Sequence, residues 1–309
     1  MKKFIIYGAG ERGLWCLDFL KWRKLEDCIA FLCDKRYAEI GNINGKKVVS
    51  YEQAKKENMP FLVSCGDSNI ASEVLEMISN DGQKGYVFEE LYKVLGEDQA
   101  VFLREWCAYH HAKNNDQWFD DAEKQDAVDV FWGGNTIFYQ YFRELDLRNV
   151  IELACGRGRH VPHYIKQAKA ITLVDILEEN IMICRERFQN VDNITYYCNN
   201  GYNLEKLADN SYTALFTYDS MVHFEMMDVY AYLKDIYRVL RKGAKALFHH
   251  SNYSTDYMAD FAHTPHARCF MSKDIFAYLA NRAGFKIVKQ DVIDWYGIES
   301  LDCITLLEK

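Results

Sequence analysis

Two short apolar runs in this chain of 309 residues are each closed by a glycine-rich turn and followed by a helical pattern. The first is Phe4-Ile5-Ile6-Tyr7, then Gly8-Ala9-Gly10-Glu11-Arg12-Gly13, then Leu14 to Leu20. The second is Val150-Ile151-Glu152-Leu153-Ala154, then Cys155-Gly156-Arg157-Gly158-Arg159-His160, with helix from about Val161 to Gln167. A buried strand that ends in glycine and feeds a helix opens a β–α unit. The chain is therefore expected to be α/β, with two such domains in succession.

The first opening continues into a strand at Cys28 to Cys33 that ends at Asp34, the place of a ribose-binding acid in nucleotide sites. Strands at Pro60 to Cys65 and Tyr86 to Phe88 and a helix at Ile70 to Asn80 complete a small domain over 1–95. Apolar spacing predicts helices over Leu91 to Tyr109, Trp118 to Trp132 and Ile137 to Leu145, so 96–148 reads as a helical linker and cap. The second domain, 149–309, alternates strand and helix up to Ala283, where Gly284 stops the helix. Two strands, Phe285 to Asp294 and Asp302 to Leu307, then follow with only a short turn between them, which implies an antiparallel hairpin.

A net charge of −8 without any Lys/Arg block argues against nucleic acid as a partner. The 10 cysteines form no C-x-x-C pair, which argues against a zinc ribbon and fits reduced thiols in a cytoplasmic protein. Met1-Lys2-Lys3 leads straight into a strand, and no run approaches the roughly 20 apolar residues of a spanning helix. No signal peptide and no membrane partner are expected.

Residues from about 118 to 309 resemble a class I S-adenosylmethionine-dependent methyltransferase in the order and spacing of their motifs. Glu152 to His160 is similar to that family's first motif, and Asp175 resembles the acid closing its second strand. Asp209-Asn210-Ser211-Tyr212 with Leu215 to Asp219 resembles the approach to the fourth strand, and Leu240 to Ala246 the turn into the fifth. The hairpin resembles the family's antiparallel close, and the first domain resembles the small Rossmann-like modules carried by sugar-modifying enzymes. The resemblance implies S-adenosylmethionine as cofactor, held by Glu152, Ala154, Gly156, Gly158, His160, Asp175, Ile176, Asn200, Gly201 and Asp219. Gly156 and Gly158 would let the backbone approach the methionine moiety, and Asp175 would accept the ribose hydroxyls.

Methyl transfer is an in-line displacement governed by positioning, and a hydroxyl acceptor must also lose a proton. His223 is the first candidate base and His250 the second, with Asp219 beside them at the strand ends. An acid limb in the histidine range is expected in the pH profile. His249, Asn252 and Arg268 are candidate acceptor contacts. Tyr218-Asp219-Ser220-Met221 replaces the Asn/Asp-Pro-Pro-aromatic box of amino-group methyltransferases, which favours oxygen as the acceptor atom. The expected substrate is a sugar, a nucleotide-sugar or another polar small molecule; no metal is expected, and a homodimer is. Gly8, Gly10, Gly13 and Asp34 fit a second, nucleotide-type site, to be occupied by a nucleotide or a nucleotide-sugar, with an empty structural or dimerising role as the alternative. The rival readings are an NAD- or nucleotide-sugar-dependent oxidoreductase or epimerase run by the first domain, and a non-catalytic S-adenosylmethionine-binding protein.

Overall fold

Parallel strands covered on both faces must be apolar along their whole length. Here Phe4, Ile5 and Ile6, and likewise Val150, Ile151 and Leu153, are at most 1% exposed. A computed structural model of the chain describes residues 3–113, 116–259 and 261–309, the side chains of 112–118 excepted. The Met1-Lys2 start read above lies outside the described residues. The chain divides into two compact units, Met1–Tyr109 and His110–Lys309.

The first unit runs β1 (Phe4–Tyr7), α1 (Glu11–Trp22), β2 (Ile29–Cys33), β3 (Asn42–Ile43), β4 (Lys46–Val49), α2 (Tyr51–Ala54), β5 (Phe61–Val63), α3 (Ser68–Asn80), β6 (Gly85–Val87), α4 (Leu91–Leu95) and α5 (Gln99–Lys113), the division between units falling inside α5. Its sheet has the order β3-β4-β2-β1-β5-β6 and is parallel except for β3 against β4. The single helix expected from Leu91 to Tyr109 is two helices. Gly96, at φ 72°, ends α4 in the left-handed conformation that glycine adopts without penalty.

The second unit runs α6 (Asp116–Ala122), α7 (Gln125–Trp132), α8 (Ile137–Phe142), β7 (Val150–Leu153), α9 (Val161–Tyr164), β8 (Ile171–Asp175), α10 (Glu178–Arg187), β9 (Ile194–Cys198), β10 (Tyr212–Thr217), α11 (Met226–Val239), β11 (Leu240–Ser251), α12 (Lys273–Ala283), β12 (Lys286–Trp295) and β13 (Ile298–Glu308). The helix expected from Trp118 to Trp132 is interrupted at Lys124, whose extended backbone caps α7. The seven strands are ordered β12-β13-β11-β10-β7-β8-β9, and β13 is antiparallel to both β11 and β12. Strand order reverses between β7 and β10, so the crevice for a ligand opens at their carboxyl ends. No helix among the described residues is long and apolar enough to cross a membrane.

Candidate active site

The glycine turn leaves β7 with Ala154 at φ 55°, Gly156 at φ 53° and Gly158 at φ 76°. The left-handed region costs a non-glycine residue about 1–2 kcal/mol, so Ala154 holds a strained backbone at the mouth of the turn. A Cβ on Gly156 would meet the Phe119 ring at 3.1 Å, and one on Gly158 would stand 2.6 Å from Phe188. Gly158 is thus required by the packing of α10 on the turn.

Asp175 closes β8 and is 5% exposed. Its Oδ2 accepts the Gly156 N–H at 2.8 Å, and its Oδ1 accepts the Leu177 N–H at 2.9 Å and the Asn180 amide at 3.1 Å. Burial pushes the carboxyl up, and the Leu177 and Gly156 N–H groups pull it back. Ile176 is half-buried beside it. After β9, Asn200 Oδ1 accepts the N–H groups of Tyr202 and Asn203, and Gly201 (φ 83°) forms the same turn.

Glu152 is 1% exposed and accepts the Tyr164 hydroxyl at 2.6 Å on Oε2, while Oε1 has no partner among the described residues. Burial lifts its carboxyl to about 8. The turn, the Asp175 carboxylate and this orphaned oxygen fit a cofactor with ribose hydroxyls at one end and an amino-acid group at the other.

At the end of β10, Asp219 adopts φ 54° and pairs with Arg159 at 2.8 Å. Burial raises this carboxyl, and Arg159, His249 and His223 together lower it by more, so the net shift is downward. Ser220 Oγ donates to the Ala154 carbonyl at 3.1 Å, which ties this turn to the glycine turn. His223 lies on the next turn, 7% exposed, with Nδ1 2.8 Å from the Ala267 carbonyl and its ring 4.7 Å from that of His111. Burial, then His111 and Arg268, depress its pKa to about 3. The imidazole is therefore neutral, with Nδ1–H donating and Nε2 as its basic nitrogen.

Other expected site residues are committed elsewhere. Neighbours on a strand face opposite sides, so His250 turns away from His249 and stacks on Phe276 at 3.8 Å. Its Nδ1 meets the Ser251 carbonyl at 2.8 Å and its Nε2 the Thr305 hydroxyl at 2.9 Å, which removes it as a candidate base. His160 is 4% exposed and takes the Trp132 indole N–H on Nδ1 at 3.1 Å, a packing role in place of the expected cofactor contact. Arg268 is 2% exposed and paired with Asp302, so it does not meet an anionic acceptor. His249, wholly buried, bonds to the Asp219 amide and to Asp302. Asn252 bridges the Ser300 carbonyl and the Lys273 N–H, tying β13 to α12.

Arg159 and Asp302 escaped the sequence reading. Asp302 is a lone acid in the apolar run Leu301-Asp302-Cys303-Ile304, a buried-charge signal that could have found it. In the first unit, Gly13 is required because a Cβ there would stand 1.9 Å from the Gly8 carbonyl oxygen, and Gly8 turns at φ 107°. Asp34 accepts the Ala9 N–H at 3.0 Å and the Arg36 N–H at 2.9 Å. At Gly10, a Cβ would meet nothing nearer than the Arg36 guanidinium at 3.8 Å.

Residues 151–248 match the family model described as a methyltransferase domain. No curated protein matches the chain. Among solved structures, an S-adenosylmethionine-dependent methyltransferase from Mesorhizobium loti is similar, with 13% identity and a TM-score of 0.46 over 56% of this chain and 97% of that one. One from Aquifex aeolicus has 14% identity and a TM-score of 0.45 over 61% and 95%. The [4+2]-cyclase SpnF has 13% identity and a TM-score of 0.47 over 55% and 79%. The strand order, the glycine turn and the matched family model agree: the chain carries a class I S-adenosylmethionine-dependent methyltransferase domain, and S-adenosylmethionine is its cofactor.

Proposed function

We propose that the chain methylates an oxygen of a polar small molecule, a sugar or nucleotide-linked sugar first among them. The observation that carries this reading is the His223 ring, held through Nδ1 by the Ala267 carbonyl so that Nε2 is its basic nitrogen, together with the Arg159–Asp219 pair at the carboxyl ends of the sheet. When bound, the cofactor supplies an electrophilic methyl group. Asp175 would hold its ribose hydroxyls, Ile176 and the Asn200–Gly201 turn would flank its adenine, and Arg159 and Asp219 would take its amino-acid end. His223 Nε2 would take the acceptor's proton as the methyl group leaves the cofactor's sulfonium sulfur, the S–C bond breaking as the C–O bond forms, while Ala267 fixes the ring through Nδ1. Tyr218-Asp219-Ser220-Met221 lacks the prolines that line amino-group sites, which supports oxygen over nitrogen. A cytoplasmic setting is part of this reading.

The test is methyl uptake from labelled donor across a panel of nucleotide-sugars, glycans, amines and RNA. Label in a sugar hydroxyl supports the reading; label only in amines or RNA rejects it. For the first unit, the glycine turn with Asp34 supports a nucleotide or nucleotide-sugar ligand, and Gly10, which the fold itself does not require, favours it. Stabilisation by nucleotide-sugars in a melting assay is expected. Stabilisation by NADH, without any by S-adenosylhomocysteine, would favour an oxidoreductase.

A further inference from the structure

A chain of buried polar groups runs from the closing strand to the turn after β10. Arg268 forks onto Asp302, with Nε 2.9 Å from Oδ1 and Nη2 2.5 Å from Oδ2. Oδ2 also meets His249 Nε2 at 2.9 Å, and His249 Nδ1 accepts the Asp219 N–H at 3.0 Å. A backbone amide only donates, so Nδ1 is unprotonated and Nε2 carries the hydrogen. The His249 ring is held between Tyr218 at 4.6 Å and Trp295 at 4.8 Å. Asp302 and His249 are wholly buried and Arg268 is 2% exposed.

A buried ion pair is a poor source of net stability, because desolvation offsets its attraction. What this one fixes is direction. Asp219 holds a left-handed backbone, and its amide is anchored by a ring that three other side chains hold still. The Asp219 carboxylate and the Arg159 guanidinium remain partly exposed, at 22% and 17%. Such a pair matches a zwitterion: Arg159 takes a carboxylate and Asp219 an ammonium.

We propose that Arg268, Asp302 and His249 are positioning residues that hold Asp219 so that the Arg159–Asp219 pair receives the amino-acid end of the cofactor. This rests on the methyltransferase reading of the site.

The experiment is calorimetry on the full chain with two probes, S-adenosylhomocysteine and 5′-methylthioadenosine, the second lacking the amino-acid end. His249→Phe keeps the ring stacking and removes the acceptor; His249→Asn keeps an acceptor near Nδ1. The expected result is about tenfold weaker S-adenosylhomocysteine binding in His249→Phe, the scale of one hydrogen bond to a charged group. Methylthioadenosine binding stays unchanged, and His249→Asn recovers most of the loss. If both probes weaken together, or neither changes, the positioning role is overturned. If the unaltered chain binds neither probe, the cofactor site itself fails; if it binds both equally, the Arg159–Asp219 receptor fails. Nitrogen NMR on the unaltered chain is independent of whether the variants fold: His249 is expected as the Nε2–H tautomer, and Nδ1–H would overturn the relay.

Discussion

Gly156 donates its backbone N–H to Asp175 Oδ2 at 2.8 Å, so the glycine turn and the Asp175 carboxylate are one mechanical unit. The first unit repeats the relationship, with Ala9 donating to Asp34 Oδ2 at 3.0 Å. In both, the other carboxylate oxygen takes the N–H two residues further on. An acid at the end of the second strand therefore orders the turn before any ligand arrives.

His223→Ala is predicted to lower kcat, by less than the roughly hundredfold of a base tuned near neutral pH because burial weakens this ring as a base, with S-adenosylhomocysteine affinity nearly unchanged. The acid limb expected from sequence near the histidine range does not arise from this ring, since burial holds its pKa to about 3. The kcat profile, measured with an acceptor from the labelling panel, should show no His223-dependent limb between pH 5 and 8. A limb near pH 6.5 that vanishes in His223→Ala would contradict the buried, neutral ring.

His250→Phe should keep turnover, because His250 is stacked on Phe276 and bonded through both nitrogens. Loss of turnover in a folded His250→Phe protein would return it to the site.

Stability should fall with acid. His223 and His250 are both depressed from 6.5 to about 3 by burial, so between those values the unfolded chain binds more protons than the folded one. Stability then drops as pH falls below 6.5, by about 1.4 kcal/mol per pH unit for each histidine. Urea midpoints at pH 7 and pH 5 measure this, and His250→Phe should remove one histidine's share of the slope.

Glu152 has the opposite sign. Burial raises its folded pKa to about 8, so its contribution is full below pH 4.5 and lost as pH rises through 8. Glu152→Gln keeps an acceptor for the Tyr164 hydroxyl and abolishes the ionisation. The variant should be as stable as the unaltered chain near pH 4 and increasingly more stable as pH rises from 4.5 to 8.5, as read by urea melts. Equal slopes in the two proteins would show that Glu152 does not titrate in this range.

A fragment spanning His110–Lys309 should fold and bind S-adenosylhomocysteine, because its sheet is complete without the first unit. Insolubility of this fragment alongside a soluble full chain would count against independent units.

Strands such as Val150–Leu153 and Ile171–Asp175 were legible because a doubly covered parallel strand writes itself as an unbroken apolar run. Asp175 was legible because it ends such a run. Side-chain direction was not: His249-His250 reads as a pair, yet strand alternation sends one ring to Asp302 and the other to Phe276. Arg268 looked available because its partner lies 34 residues on, across the sheet, and no local spacing announces that contact. Helix interruptions at Gly96 and Lys124 were hidden by apolar periodicity that continues through both.

The most direct measurement is the affinity of S-adenosylhomocysteine for the full chain and for Asp175→Ala, taken by calorimetry with a thermal melt of each. Binding by the unaltered chain and a loss of roughly 2 kcal/mol or more in a folded Asp175→Ala protein are predicted, the scale for hydrogen bonds to a charged group. Unchanged affinity in the folded variant would contradict the assignment of Asp175, and no binding by the unaltered chain would contradict the cofactor site as a whole.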